Sequence, residues 1–359
     1  MLFRSNAGGH QVFVDRVEWN IIPDSATSAN ALAAGDEEFP MSKISHATAA
    51  AGLAALLLLS PWAQAQVPMA TGQAPGWYRM MLGSFQVTAL SDGTVVLPVD
   101  KLLTNNQPAR IEALLSRAYL KAPVETSVNG YLIHTGAKLV LIDTGAAGLF
   151  GPTLGKLLAN LKSAGYQPEQ VDEIYITHMH PDHVGGLMAE GKMAFPNAVV
   201  RADVREGGFW LAQENMDKAP ADAKGFFQGA MASLKPYVDA GRLKPFDGET
   251  ELVPGIRAIP ARGHTPGHTI YAVESQGHKL VVWGDLMHVA AVQFAMPGTT
   301  IQFDTDSKAA APQRRKNYAD AAKKGYFVAV AHVSFPGIGQ LRADGKGYAW
   351  LPVNYSGLK

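Results

Sequence analysis

The chain has 359 residues, 47% of them hydrophobic and 17% charged, and its 31 basic residues balance 31 acidic ones to a formal net charge of zero. Such a composition belongs to a globular protein with ample core; it lacks the basic footprint of a nucleic-acid enzyme, so no nucleic-acid partner is expected. The absence of cysteine excludes disulfides, thiolate catalysis and cysteine-rich metal sites.

In chain order, residues 1–40 match no targeting pattern and read as a non-native upstream extension. From Met41 the parts of a secretory signal follow: Lys43, an uncharged apolar run over 47–59, and the small-x-small site Ala63-Gln64-Ala65. The signal is therefore expected at 41–65, with cleavage near Ala65 and a periplasmic or secreted product. The apolar run is too short to span a bilayer comfortably, so no stable membrane anchor is expected. Residues 66–76 read as a flexible lead-in and 77–359 as one domain.

Within that domain, residues 85–90 alternate as a strand turned by Ser91-Asp92-Gly93. A helix is predicted over 108–120, and strands over 130–134 and 138–142 around Thr135-Gly136. A second helix, 152–164, begins at Pro152 and is ended by Gly165. Residues 171–176 and 198–201 read as strands, and 203–215 and 221–239 as helices. Strand-like segments recur at 255–260, 269–274 and 279–283, before a helix at 312–324 and a buried strand at 326–331. Two groups of strands, each followed by helices, give an α/β protein with two sheets packed face to face and helices outside.

The 171–176 strand runs directly into Thr177-His178-Met179-His180-Pro181-Asp182-His183-Val184-Gly185-Gly186. In extended backbone His178 and His180 project to one side and can grip one cation. Past the Pro181 bend, Asp182 and His183 can turn toward a second position. Imidazole nitrogen and carboxylate oxygen suit zinc and similar first-row metals. Gly185-Gly186 is expected to let the chain turn sharply. Further donors end other apolar strands: His264 and His268 in Arg262-Gly263-His264-Thr265-Pro266-Gly267-His268, Asp285 after Trp283-Gly284, and His332 after Ala331. His134 and His278 fall in turns and read as solvated, and His10 and His46 lie in the leader.

The set His-x-His-x-Asp-His, Gly-His-Thr-Pro-Gly-His, Gly-Asp and a late His resembles the metallo-β-lactamase-fold hydrolases over nearly all of 77–359. The stretches 125–131, 143–152, 335–339 and 352–356 are most similar to the branch of methyl parathion hydrolase and dihydrocoumarin-type lactonases. The resemblance implies an αββα sandwich of two packed mixed β-sheets with helices on the outer faces, and two divalent metal ions, zinc first, with manganese, cobalt and iron as alternatives. It places His178, His180 and His264 on one metal, Asp182, His183 and His332 on the other, and Asp285 across both. A bridging hydroxide would be the nucleophile, with Asp182 and Asp285 as the catalytic carboxylates. His268 and Asp143 would support the ligands rather than bind metal.

The resemblance also implies a substrate pocket around Phe150, Trp210 and Phe226, with Phe227 the neighbouring alternative. Near it the chain departs from the organophosphate hydrolase pattern. His288 replaces an aliphatic residue, Ile301 and Phe303 are bulkier, Leu103 replaces a basic residue, and 221–225 is one residue short. These changes imply a narrower pocket with an added polar group. The expected substrate is an aryl lactone or ester, with a phosphotriester as the alternative, and the expected assembly is a homodimer. Two other classes fit less well: a one-iron dioxygenase leaves Asp182, His183 and His332 unused, and a structural zinc module would be closed and four-coordinate.

Overall fold

The structure is a computed structural model and describes residues 68–358; the upstream extension, the signal at 41–65 and its cleavage site at Ala65, with His10 and His46, lie outside the described residues. Among the described residues no helix is long and apolar enough to cross a membrane.

Two mixed sheets form the centre. The first runs in the order Trp77–Leu82, Phe85–Leu97, Val124–His134, Leu139–Ile142, Glu173–Tyr175, Val199–Arg201, its last two pairings parallel. The second runs Thr250–Val253, Ile256–Pro260, Thr269–Ser275, His278–Val282, Phe327–Ala329, Ile338–Asp344, Gly347–Pro352, antiparallel except where His278–Val282 meets Phe327–Ala329. Successive side chains of a strand point to opposite faces, and here both faces are apolar. Val140 and Ile142 face the second sheet, meeting Tyr271, Val273 and Val282, while Leu139 and Leu141 face outward under helices Leu157–Ser163 and Lys224–Asp239. On the far side Ile270, Ala272, Val281 and Val328 pack under Tyr318 and Ala321 of helix Ser307–Lys324. Each fully buried Leu, Ile or Val contributes about 1.5–3 kcal/mol, so the order helix, sheet, sheet, helix follows from four apolar faces seeking cover. This is the expected αββα sandwich.

Local readings differ from the structure at points where a carboxylate captures backbone donors. Ser91-Asp92-Gly93 is no turn: strand Phe85–Leu97 continues through it with a bulge against Val124–His134. The bulge aims the buried Asp92 carboxylate at the amides of Ala146, Gly155 and Leu157, at 2.9–3.0 Å. Those bonds start the next helix at Leu157 rather than at Pro152. Asp306 accepts from the amides of Lys308 and Ala309, which starts the last helix at Ser307 and leaves Pro312 inside it. The predicted 203–215 helix breaks into Val204–Trp210 and Gln213–Lys218. Strands Thr250–Val253, Ile338–Asp344 and Gly347–Pro352 went unpredicted: Glu251, Arg342 and Asp344 interrupt the apolar pattern of the first two, and the third is a short edge strand; Glu251, on the opposite edge, is a charge of the kind that protects sheet edges.

Candidate metal centre

The donors picked out in the sequence converge at one edge of the sandwich, each just past a strand. His178 and His180 follow Glu173–Tyr175, with His180 in extended conformation, and Asp182 and His183 sit in the single helical turn Pro181–Val184. His264 follows Ile256–Pro260, Asp285 follows His278–Val282, and His332 follows Phe327–Ala329.

They fall into two groups that share one carboxylate. In the first, His264 Nε2 lies 3.2 Å from His178 Nε2 and 3.1 Å from His180 Nδ1, and Asp285 Oδ2 lies 3.3 Å from His264 Nε2 and 3.5 Å from His178 Nε2. In the second, Asp182 Oδ2 lies 3.5 Å from both His183 Nε2 and His332 Nε2, and Asp285 Oδ1 lies 3.2 and 3.1 Å from the same two nitrogens. Donors bonded to one zinc ion at about 2.0–2.1 Å and a tetrahedral angle stand about 3.3–3.4 Å apart. Both groups have that spacing, and Asp285 presents one oxygen to each.

The orientation of the rings points the same way. His183 Nδ1 donates to Asp143 Oδ2 at 2.8 Å, His264 Nδ1 to Asp304 Oδ1 at 3.0 Å, and His332 Nδ1 to the Ser127 carbonyl at 2.9 Å. Carboxylate and carbonyl oxygens only accept, so each neutral ring carries its proton on Nδ1 and turns the Nε2 lone pair inward. His183 Nε2 and Asp285 Oδ1 are buried without a hydrogen-bond partner, which is costly unless a cation takes the lone pairs. Charge balance makes the same demand. Burial opposes the charged form of His183, His264 and His332, but the carboxylates, Asp285 foremost, outweigh it and raise all three, His264 to about 9. Burial likewise opposes ionisation of Asp182 and Asp285, but the facing imidazoles hold both acids below the usual carboxylate range. Burial and the neighbouring imidazoles hold His178 and His180 below the ordinary imidazole range, so these two rings are neutral and free to bind a cation. The donor set fits two divalent cations, as oxygen and nitrogen ligands suited to zinc, manganese, cobalt or iron.

The supporting residues show how the fold holds the donors. Asp143 ends strand Leu139–Ile142 at a φ of 58°, and besides His183 it accepts from the Thr177 amide and hydroxyl. Aspartate tolerates this left-handed conformation better than most residues. The His268 ring stands in neither donor group: its Nδ1 donates to the Ala261 carbonyl and its Nε2 accepts from the Asp285 amide, so it fastens one ligand-bearing loop to another. Gly185 and Gly186 have an explanation other than a sharp turn. Gly185 is helical, at φ −57°, and a Cβ on either glycine would collide with the backbone of Ala146 or Thr144. They let the metal loop lie flat against the 143–146 loop, where the Thr144 amide donates to the His183 carbonyl.

Two supporting acids went unread in the sequence. Asp304 fastens His264 from a distant loop, with no local signal. Glu206 is fully buried and accepts from the Met179 amide at 2.8 Å and the Gly267 amide at 2.7 Å, so one carboxylate clamps the loops carrying His178, His180 and His264. Its signal was ambiguous: Asp203-x-x-Glu206 has the spacing of a helix capping box, and Asp203 does cap the helix through the Arg205 amide, but Glu206 turns to the loops.

Above the donors lies an enclosed cavity of about 50 Å³, walled by Val95, Leu97, Phe150, Leu154, Phe226 and Phe303 and floored by His180, Asp182, Asp285, His288 and His332. Phe226 lines it, and Phe227 turns into the core against Trp210. Three expected pocket residues stand behind the wall instead. Trp210 backs the His180 ring at 5.0 Å. Leu103 and Ile301 pair in a two-stranded ribbon, and that pairing buries them in a small core with Val99 and Ile111.

The sequence model of the metallo-beta-lactamase superfamily matches residues 123–324. An N-acyl homoserine lactonase from Bacillus sp is 27% identical over 165 residues, which cover 41% of this chain and 58% of that protein, so the chain spans a little over half the length of the curated relatives it matches. Among solved structures, AbOPH, a hydrolase in the beta lactamase superfamily, is 38% identical with a TM-score of 0.76 over 80% of this chain and 100% of its own. AidC, a dizinc quorum-quenching lactonase in complex with a product, is 27% identical with a TM-score of 0.73 over 79% of this chain and 99% of its own.

Proposed function

The chain belongs to the metallo-β-lactamase superfamily, and from that footing we propose that it is a two-metal hydrolase of carboxylic lactones and esters, aryl lactones of the dihydrocoumarin kind foremost. In this reading His178, His180 and His264 hold one cation and Asp182, His183 and His332 the other, with Asp285 shared. When bound, the cations supply a Lewis acid for the carbonyl oxygen and lower the pKa of water between them. The observation that carries the proposal is the two donor groups joined through Asp285 at the floor of one narrow apolar cavity.

The chain's own side chains do the rest. Phe150, Phe226 and Phe303 offer faces and edges to a flat ring and keep water from the floor. Asp182 is partly exposed to the cavity and carries negative charge beside it, positioned to orient the attacking water. His268 and Glu206 hold the loops so that the donors keep their places as substrate enters. The close apolar wall of Phe150, Phe226 and Phe303 above the donors suits a flat aryl lactone better than a phosphotriester with three substituents. The relatives favour a second reading within the same chemistry, an N-acyl homoserine lactone.

The test is kcat/KM for dihydrocoumarin, N-hexanoyl homoserine lactone and methyl parathion on zinc-loaded protein. Preference for dihydrocoumarin supports the proposal, and preference for the homoserine lactone moves the substrate to the second reading. A phosphotriester preferred over both lactones would refute the narrow-pocket argument. Export belongs to the same proposal; intact mass of the protein from a periplasmic fraction should give an N-terminus at Gln66, and retention of 1–40 would overturn it.

A further inference from the structure

His288 is an imidazole at this centre with no supporting acceptor of the kind that aims His183, His264 and His332. It is buried, its Nδ1 has no hydrogen-bond partner, and its Nε2 faces only the shared Asp285 carboxylate, without an aligned hydrogen bond. Its backbone, by contrast, is held firmly: the buried Gln293 carboxamide accepts from the His288 amide at 2.7 Å and the Val289 amide at 3.0 Å, and donates to the Thr299 carbonyl. The ring is thus delivered to the cavity floor by a fixed backbone, with no acceptor behind it to set its tautomer. A buried polar nitrogen left unpaired is costly and calls for an explanation.

The surroundings supply one. His288 Nε2 lies 3.0 Å from Asp285 Oδ2, and the ring lies nearly parallel to His332 with centroids 5.3 Å apart. Donor atoms of Asp285, His288 and His332 lie within 4.8 Å of one another, as do those of Asp182, His183 and His332. The two triads share His332, so a single cation can use one or the other. The difference between them is mechanical. His183 is locked by Asp143, with its lone pair aimed inward; His288 has no such lock, and its Nε2 faces the shared carboxylate.

We propose that Asp285, His288 and His332 form an alternative seat for the second cation, beside the Asp182–His183–His332 seat. The proposal rests on the two-cation reading above. The locked seat holds the ion by default, and the unlocked one takes it when Asp182 or His183 is engaged elsewhere or removed. His288 is then a reserve ligand and not only part of the pocket wall.

The experiment measures zinc per chain and the affinity of the second zinc by chelator competition, in the wild type, Asp182→Ala, His288→Leu and the double variant, with far-UV circular dichroism as the check on folding. His183→Ala serves as a second background should Asp182→Ala fold poorly. The seat predicts strong non-additivity. Asp182→Ala keeps two zinc ions, His288→Leu alone changes second-zinc affinity by less than about threefold, and the double variant loses a further 10–100-fold, on the order that metal-site substitutions cost. If Asp182→Ala by itself falls to one zinc per chain, or if His288→Leu adds nothing to it, the alternative seat does not exist while the two-cation reading stands. A wild type that binds fewer than two zinc ions would remove both.

Discussion

The floor and the wall of the cavity are built on opposite principles. On the floor, His183, His264 and His332 are each aimed by a named acceptor, and Glu206 and His268 tie the loops that carry the donors. The wall is apolar side chains from Phe85–Leu97, the 146–155 loop, helix Lys224–Asp239 and the 299–305 segment, held by packing alone. Phe150 remains 39% exposed. A floor of directional bonds fixes where the chemistry takes place, whereas a wall of non-directional contacts can change shape without disturbing it. In this site the donor geometry and the shape of the pocket can therefore vary separately.

That contrast can be broken by experiment, beginning with the largest effect. Asp285→Ala removes the one carboxylate common to both donor groups; activity should fall by about 10³-fold or more, with loss of at least one zinc per chain by elemental analysis. Full metal content in that variant would mean that the groups are independent. Glu206→Gln leaves one of two backbone amides without an acceptor, so zinc affinity should weaken by about 10–100-fold in chelator competition. An unchanged affinity would show that the loops hold their places without the clamp.

The wall should behave differently. Phe303→Ala should shift the ratio of kcat/KM between dihydrocoumarin and methyl parathion by about tenfold toward the bulkier substrate, a change of the size expected for a pocket contact. Two zinc ions should remain bound. Metal loss in this variant would erase the distinction between floor and wall. The smallest effect is reserved for a histidine outside both regions: His278, read as a turn residue, stands exposed at the start of strand His278–Val282, and His278→Ala should alter stability by no more than about 0.5 kcal/mol in denaturant unfolding, with metal content unchanged.

The floor was far more legible in the sequence than the wall. His178, His180, Asp182 and His183 share one loop, and His264, Asp285 and His332 each end an apolar strand, so polar donors stand out where burial would otherwise be expected. The Glu206 clamp and the Asp304 support were missed because a carboxylate buried by tertiary contact looks, in one dimension, like any helix-start or loop acid. Asp92 read as part of a turn for the same reason: its three amide partners lie more than fifty residues away. Trp210, Leu103 and Ile301 were placed in the pocket because apolar residues carry no mark of the face they will cover.

Strand alternation and the chemistry of histidine and aspartate were enough to determine from the chain alone that two sheets would pack between helices and that polar donors would gather at strand ends. Both are local properties, set by the period of the backbone and by the cost of burying charge. Only the tertiary structure decided which oxygen of Asp285 faces which group, which nitrogen of each imidazole is turned inward, and that His288 is left unfastened among them. Those outcomes depend on directions and distances between segments that meet only when the sandwich closes, and no spacing along the sequence encodes them.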